Sequence, residues 1–255
     1  MQLKKETNRI DTQHTNDVIT TGFNPSLLQN IYTGNFIFET LNIENGIIKR
    51  DKFHLNRILF SIDKLKWFKT IDNYDIEEWW NFFLLNRITN IKQQTRGKLI
   101  LIPDKSTLIP QFEIFEFPKY KDTYNLTLNH EFVRHSKDFF WQIKTGSYSR
   151  NIYYSKNKPE NIDDFIFYNE QNNICETIFS NIYLKINNQL ITPKSESGVL
   201  KGTFREYLLN EKHIKINNKK YQIVEENINI SELNENSELF ISNSLSELRK
   251  AIFIK

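Results

Sequence analysis

The chain of 255 residues has little of several features that would point to a particular class of protein. Its one cysteine, Cys175, excludes an intrachain disulfide and a metal cluster built on several cysteines. No stretch reaches the length of a membrane span, and the start lacks the apolar run of a signal peptide. The net charge is only +3, so charge alone does not indicate a nucleic-acid or anionic membrane partner. We therefore expect a cytoplasmic protein with no metal, nucleic acid or membrane among its partners.

The length allows one large domain or two modest ones with a substantial core. Residues 1–28 are polar and aperiodic, which predicts an N-terminal arm. A polar segment at 118–122 predicts a linker between a smaller α/β domain, 29–117, and a larger C-terminal domain, 123–255.

The smaller domain opens with a segment, 36–43, that alternates apolar and polar residues and predicts a strand. Asn45-Gly46 predicts a hairpin turn, and Asp51 is expected to cap the helix that follows. Its apolar stripe consists of Leu55, Ile58, Leu59, Ile62 and Leu65. Arg57 lies off this stripe near the helix start, where it could grip a phosphate or be a solvated surface arginine. His54 is expected to be a packed or capping histidine.

A second helix is predicted from Asp75, with an aromatic face that includes Trp79 and Trp80. That face could lie in the core or between two subunits. Strands are expected at 98–102 and 112–117.

In the larger domain, an apolar strand at 165–168 leads through a polar turn, 169–173, to a single acid, Glu176. A carboxylate in such apolar surroundings needs a cationic partner or loses its charge. By itself, Glu176 could therefore be a structural residue, in a helix cap or a salt bridge, as well as a functional one. Lys144 ends another apolar segment, 139–143. A lysine in this setting could be a nucleophile with a lowered pKa or an ordinary surface lysine.

Several short motifs follow one another along the chain. They are Phe38-Glu39-Thr40-Leu41, His54-Leu55-Asn56-Arg57, Lys144, Glu176 with Ser180-Asn181-Ile182-Tyr183, Thr192-Pro193, Leu200-Lys201-Gly202-Thr203-Phe204-Arg205 and Ser242-Asn243-Ser244-Leu245. Together they resemble the class IV pyridoxal-phosphate enzymes, which include D-amino acid and branched-chain aminotransferases and 4-amino-4-deoxychorismate lyase. The resemblance covers roughly residues 34–250. It implies a mixed α/β (α+β) fold in two domains, like that of D-amino acid aminotransferase (fold-type IV).

The resemblance also implies pyridoxal 5'-phosphate as cofactor and assigns site residues. Lys144 would carry the cofactor as a Schiff base and then act as acid and base, and Glu176 would pair with its pyridinium nitrogen. The phosphate would be held by Arg57, by the backbone amides of Gly202, Thr203 and Phe204, and by Ser244. Tyr148 would line the cofactor. Cys175 is expected only to pack.

The resemblance specifies the reaction less closely than it specifies the cofactor. The short spacing from Lys144 to Tyr148 resembles that of the lyase and D-amino acid groups. The chain also lacks the Arg-x-His pair with which the aminotransferases bind an amino acid carboxylate, since Arg96 lies off that motif. Thr40 stands where the lyase has a threonine thought to aid pyruvate loss. We therefore expect the lyase, with an aminotransferase for D- or branched-chain amino acids as the alternative and a non-catalytic family member as a remote one. A homodimer is also expected, with Trp79 and Trp80 as candidates for burial between subunits.

Overall fold

The computed structural model describes residues 25–67, 73–104, 107–147 and 149–255. Its helices are α1 Pro25–Thr33, α2 Asp51–Leu65, α3 Asn73–Trp79, α4 Leu85–Ile88, α5 Ser149–Lys156 and α6 Thr203–Glu211. Its strands are β1 Ile37–Glu44, β2 Ile47–Ile48, β3 Thr95–Asp104, β4 Thr107–Glu116, β5 Thr123–Leu128, β6 Asp164–Tyr168, β7 Ile174–Thr177, β8 Asn181–Ile186, β9 Gln189–Thr192, β10 His213–Ile216, β11 Lys219–Glu225, β12 Glu238–Asn243 and β13 Glu247–Phe253.

The strands form two sheets. The first has the order β2-β1-β3-β4 and is antiparallel throughout. The second has the order β10-β11-β9-β8-β12-β13-β5-β6-β7 and mixes parallel with antiparallel pairs. The mixed α/β fold predicted from the sequence is confirmed. The first sheet ends at Glu116 and the second begins at Thr123, while the domain boundaries themselves stay a prediction.

The β1–β2 hairpin turns at Asn45 and Gly46, which have φ angles of 52° and 72°. Positive φ at both central residues is the geometry that Asn-Gly favours in a tight hairpin, so this turn was predicted correctly. The predicted cap at Asp51 is wrong. Asp51 is the first residue of α2, and the N-cap is Arg50 in the left-handed region, without a side-chain cap.

Helix α2 buries a wider face than the one predicted, because the predicted apolar stripe packs in or against the core of the first sheet and polar residues beside it are buried as well. Its buried residues are His54, Arg57, Ile58, Ser61 and Ile62, whereas Leu55, Leu59 and Leu65 are only partly buried. The polar members of the buried face turn toward a buried carboxylate on β1, which hydropathy alone could not reveal.

The aromatic segment after residue 72 is a helix interrupted by a π-helical turn. Helix α3 begins at Asn73, and the π-helical turn Trp80–Leu84 joins it to α4. Trp80 is 1% exposed and packs with Leu41 and Leu99 in the core of the first sheet. Trp80 is therefore a core residue and is not available for burial between subunits, which corrects the interface expectation. Trp79 is partly buried against the same core.

The motif-rich run of the larger domain folds in the predicted order. Strands β6 and β7 flank the polar turn, and β8 reverses into β9 at Asn187, which has φ 53°. The sequence did not predict β5, β10 or β13. Strands β8 and β12 lie near the centre of the second sheet, and their buried side chains Ile182, Leu239 and Ile241 contribute to its core.

Residues 1–24 of the predicted arm lie outside the described residues, and its last four residues begin α1. The arm itself stays a prediction. In the part of the chain that the structure describes, no helix combines the length and the apolar character needed to cross a membrane.

Candidate active site

A cleft collects residues from nearly all of the motifs. It is lined by Arg57, Lys144, Glu176, Ile178, Phe179, Ser180, Asn181, Leu200, Gly202, Ser242, Asn243 and Ser244. The first of these comes from α2, beside the first sheet, and the others come from the loop before α5 and from the larger domain. The fold thus brings Lys144, Glu176, Arg57, Gly202 and Ser244 together from positions far apart in sequence.

Lys144 is held against the edge of the first sheet. Its carbonyl accepts a hydrogen bond from the Phe38 amide at 3.0 Å, and the Gly146 amide donates to the Phe36 carbonyl at 2.8 Å. A Cβ on Gly146 would lie 2.3 Å from the Phe36 ring, so the loop needs glycine there. The half-buried Lys144 side chain places Nζ 4.3 Å from the centroid of the Phe38 ring.

Glu176 lies on β7 with a partner on each carboxylate oxygen. Arg134 donates from Nη1 to Oε1 at 2.7 Å, while Asn181 Nδ2 and the Leu200 amide donate to Oε2 at 3.1 and 3.3 Å. Arg134 is the cationic partner that the buried carboxylate requires. Arg134 could not be recognised from the sequence because an isolated arginine outside any motif carries no signal.

The loop before α6 approaches Asn181 closely. Asn181 Nδ2 donates to the Leu200 carbonyl at 2.9 Å, and a Cβ on Gly202 would lie 1.9 Å from Asn181 Oδ1. Gly202 is also the N-cap of α6, which has no side-chain cap. The first amides of a helix have no partner within it, and they favour an anion. This glycine therefore leaves the start of α6 open for a phosphate.

Arg57 reaches the same place from α2. Its Nε and Nη2 donate to the two oxygens of Glu39 at 2.8 and 2.5 Å, and its Nη1 donates to the Lys201 carbonyl at 3.3 Å. Burial alone would raise the pKa of Glu39, but the charges of Arg57 and His54 beside it lower that pKa to about 2. Glu39 thus holds the guanidinium beside the loop that precedes α6.

His54 packs as expected. It is completely buried, with Nδ1 2.6 Å from Glu39 Oε2 and Nε2 3.4 Å from Thr203 Oγ1. Burial lowers its pKa from the ordinary value, since the charged imidazolium would lose its hydration.

The turn after β12 forms the third side of the cleft. The Asn243 side chain accepts hydrogen bonds from the amides of Leu245 and Ser246 at 2.9 and 2.8 Å. Ser244 lines the cleft, but its hydroxyl donates to the Thr40 carbonyl at 2.7 Å. Hereafter, the phosphate cradle means Arg57, Gly202–Phe204 and Ser242–Ser244. Its cation, its helix amides and its glycine fit a phosphate, and the lysine and the carboxylate fit the two ends of a pyridoxal ring system.

The family follows from comparison with known proteins. Residues 36–252 match the model of the amino-transferase class IV family. The chain belongs to the class IV aminotransferase family. The enzymes of this family depend on pyridoxal phosphate, and so this chain is a pyridoxal-phosphate enzyme.

Solved structures share the class IV fold at low sequence identity. A putative 4-amino-4-deoxychorismate lyase from Legionella pneumophila has a TM-score of 0.74 and 23% identity, over 93% of this chain and 88% of that one. A fold IV transaminase from Curtobacterium pusillum has a TM-score of 0.75 and 18% identity, over 93% and 82%. The PLP-bound form of a hypothetical aminotransferase from Mycobacterium tuberculosis has a TM-score of 0.72 and 17% identity, over 93% and 88%. Comparison with curated proteins gives no significant match in sequence.

The remaining motif residues of this class IV chain lie at or behind the cleft. Thr40 follows Glu39 on β1 and, since side chains alternate along a strand, shares its face with Phe38. Tyr148 lies outside the described residues. Arg205 points away from the cradle and donates to the Pro193 carbonyl at 2.8 Å and to Glu225. Cys175 is buried, with Sγ 3.0 Å from the Ser197 carbonyl, and burial raises its pKa to about 12.

Proposed function

We propose that this class IV enzyme is 4-amino-4-deoxychorismate lyase, which releases pyruvate to give 4-aminobenzoate for folate synthesis. The observation that carries the proposal is the position of Thr40. It lies on the face of β1 that also bears Phe38, and the Phe38 ring contacts Lys144 Nζ. A hydroxyl that reaches the cleft from this face could take part in proton transfer to the departing pyruvate. The fold that the chain shares with the putative lyase of Legionella pneumophila is compatible with this assignment.

The positions of the residues in the cleft support the roles that the family resemblance implies. Pyridoxal phosphate, when bound, supplies the electron sink. Lys144 would attach to it and afterwards hold and return a proton at Nζ. Glu176, fixed by Arg134 and Asn181, would present its carboxylate to the ring nitrogen.

The cradle residues would bind the phosphate. Arg57 supplies the cation, and the amides of Gly202, Thr203 and Phe204 supply neutral donors. The hydroxyl of Ser244 would have to leave the Thr40 carbonyl before it could donate to a phosphate oxygen, whereas the backbone of that turn needs no such change.

An aminotransferase acting on a D- or branched-chain amino acid is the second candidate. The fold that the chain shares with the Curtobacterium pusillum transaminase is equally compatible with this activity. A non-catalytic family member is disfavoured because Lys144, Glu176 and Arg57 are all present and line one cleft.

The two activities differ in their products and in the state of the cofactor after a turnover. A lyase needs no keto-acid acceptor, so the purified enzyme mixed with aminodeoxychorismate should release 4-aminobenzoate and pyruvate in equal amounts. Under the same conditions D-alanine or leucine should leave the visible absorbance of the bound cofactor unchanged. Bleaching by an amino acid, with no aminobenzoate formed, would establish the aminotransferase instead.

Thr40 offers a sharper test within the lyase assay. Thr40→Ala should lower kcat by roughly 10²–10⁴-fold, as expected for loss of a proton-transfer group. Thr40→Ser keeps the hydroxyl and should retain most of the rate. Thr123→Ala, at an exposed position of β5, is the matched control and should leave the rate unchanged. Equal rates for Thr40→Ala and the wild type would remove Thr40 from the mechanism.

We also propose that the enzyme is a cytoplasmic homodimer. With Trp80 in the core, a better candidate for the subunit contact is Phe179, which lines the cleft and is 49% exposed. Sedimentation should give a dimer at micromolar concentration. A fully active monomer would contradict this proposal.

A further inference from the structure

Arg50 occupies a backbone position that is unfavourable for its residue type. It is the N-cap of α2 with φ 60° and ψ 38°, in the left-handed region where glycine or asparagine is preferred. Its carbonyl accepts the Phe53 amide at 3.0 Å and thereby starts the helix that carries Arg57. Glycine could hold this backbone conformation with less strain, but it could not make the contacts of the Arg50 side chain.

The side chain of Arg50 points into the protein, with only 9% of its surface exposed. Its Nη2 donates to the Ser244 carbonyl at 2.9 Å, and its Nη1 donates to Glu247 Oε1 at 2.9 Å. The guanidinium carbon also lies 5.0 Å from the centroid of the Phe204 ring, within the range of a cation–π contact.

These contacts join the three parts of the phosphate cradle. Ser244 belongs to the turn after β12, Phe204 to the first turn of α6, and Arg50 itself begins α2, two turns before Arg57. A guanidinium is planar, and its donors have fixed directions, so it sets the relative positions of the groups it contacts more strictly than an ammonium group would.

We propose that Arg50 is a positioning residue that fixes the phosphate cradle from behind and so sets the affinity of the enzyme for the phosphate group of its cofactor. The proposal rests on the proposed function, in which this cradle binds the phosphate of the cofactor. It extends that assignment to a residue outside the motifs. Arg50 itself does not touch the phosphate.

The test compares pyridoxal phosphate with pyridoxal, which can attach to the same lysine but has no phosphate. The dissociation constants of both are measured by absorbance titration of the apoprotein. The variants are R50A, R50K and R57A, with R249A as the matched control. Arg249 donates to the Ser246 carbonyl at 3.0 Å in the same turn, and its guanidinium carbon lies 5.6 Å from the Tyr120 ring centroid, away from α2 and α6.

R50A should raise the dissociation constant of pyridoxal phosphate at least about tenfold, the order of one lost charge-assisted interaction, and that of pyridoxal by less than about threefold. R50K should lie between R50A and the wild type, and R249A should keep the wild-type ratio. If R50A does not fold, R50K and E247Q are judged by the same ratio.

Two results would overturn the proposal alone. In the first, R50A weakens the binding of pyridoxal phosphate and of pyridoxal equally, which indicates a general structural role. In the second, R50A changes neither affinity, while R57A weakens the binding of pyridoxal phosphate selectively. If R57A leaves the ratio unchanged, the cradle assignment fails, and the role of Arg50 fails with it.

Discussion

Arg134 and Glu176 form a buried ion pair in the cleft, with Nη1 and Oε1 2.7 Å apart. The guanidinium carbon of Arg134 also lies 4.4 Å from the Trp141 ring centroid and 4.9 Å from that of Phe167. The pair holds the carboxylate in one orientation, while Asn181 links its other oxygen to the loop before the cradle. The acid proposed to meet the ring nitrogen and the loop proposed to meet the phosphate are therefore mechanically connected.

Breaking this pair should destabilise the apoprotein strongly. R134M would leave Glu176 buried without its cation, which typically costs about 3–5 kcal/mol of unfolding free energy. The control is R150A, which removes an exposed arginine that stacks on the Phe132 ring at 3.9 Å and should cost only about 0.5–1 kcal/mol. Urea titration of both variants measures the difference. Equal losses would mean that the Glu176 charge does not depend on Arg134.

The close approach of Gly202 to Asn181 makes a second prediction. G202A would place a methyl group 1.9 Å from Asn181 Oδ1 and force the loop to move. Such overpacking costs about 1–3 kcal/mol, and the affinity for pyridoxal phosphate should fall by at least about tenfold. K201A, which removes the neighbouring side chain without adding atoms, should bind almost as the wild type does. A G202A protein with unchanged affinity would show that this loop does not shape the phosphate site.

The buried carboxyl group of Asp164 should make the stability of the protein depend on pH. Burial raises its pKa to about 6 from an ordinary value of 3.8, although the amides of Phe165 and Ile178 donate to it at 2.8 and 3.0 Å. The folded state binds this proton more tightly than the unfolded state does. The contribution of Asp164 to stability is therefore fully present below the unfolded pKa and is lost as the pH rises through the folded pKa.

The variant D164N carries a side chain of similar shape that does not titrate. The difference in unfolding free energy, wild type minus D164N, should therefore fall by about 3 kcal/mol between about pH 2 and pH 8, given the shift in pKa. Denaturant titrations of both proteins across this range give the difference. Parallel curves would mean that Asp164 does not titrate in the folded protein as its burial requires.

Five of the residues that the sequence motifs singled out lie together in the structure. Lys144, Glu176, Arg57, Gly202 and Ser244 line one cleft, because their spacing reflects a fold that brings them together. Their chemical roles stay predictions. The Asn45-Gly46 turn was also predictable, because its conformation depends on two adjacent residues.

Features that depend on long-range packing were not predictable in this way. Arg134 and Glu176 are 42 positions apart, and no local pattern links them. The aromatic stripe containing Trp80 showed that a face is buried but not what covers it. The cap predicted at Asp51 failed because the N-cap is Arg50, whose side chain contacts residues near 204 and 244 that no local pattern could link to it.

The central claim is that Lys144 carries the cofactor in this cleft. The most direct measurement is borohydride reduction of the yellow protein, followed by peptide mapping, with K144A treated in parallel. The account predicts a pyridoxyl group on Lys144 in the wild type and no stoichiometric label in K144A. A stoichiometric label on another lysine, such as Lys201 beside the cradle, or a colourless protein that takes up no label at all, would contradict it.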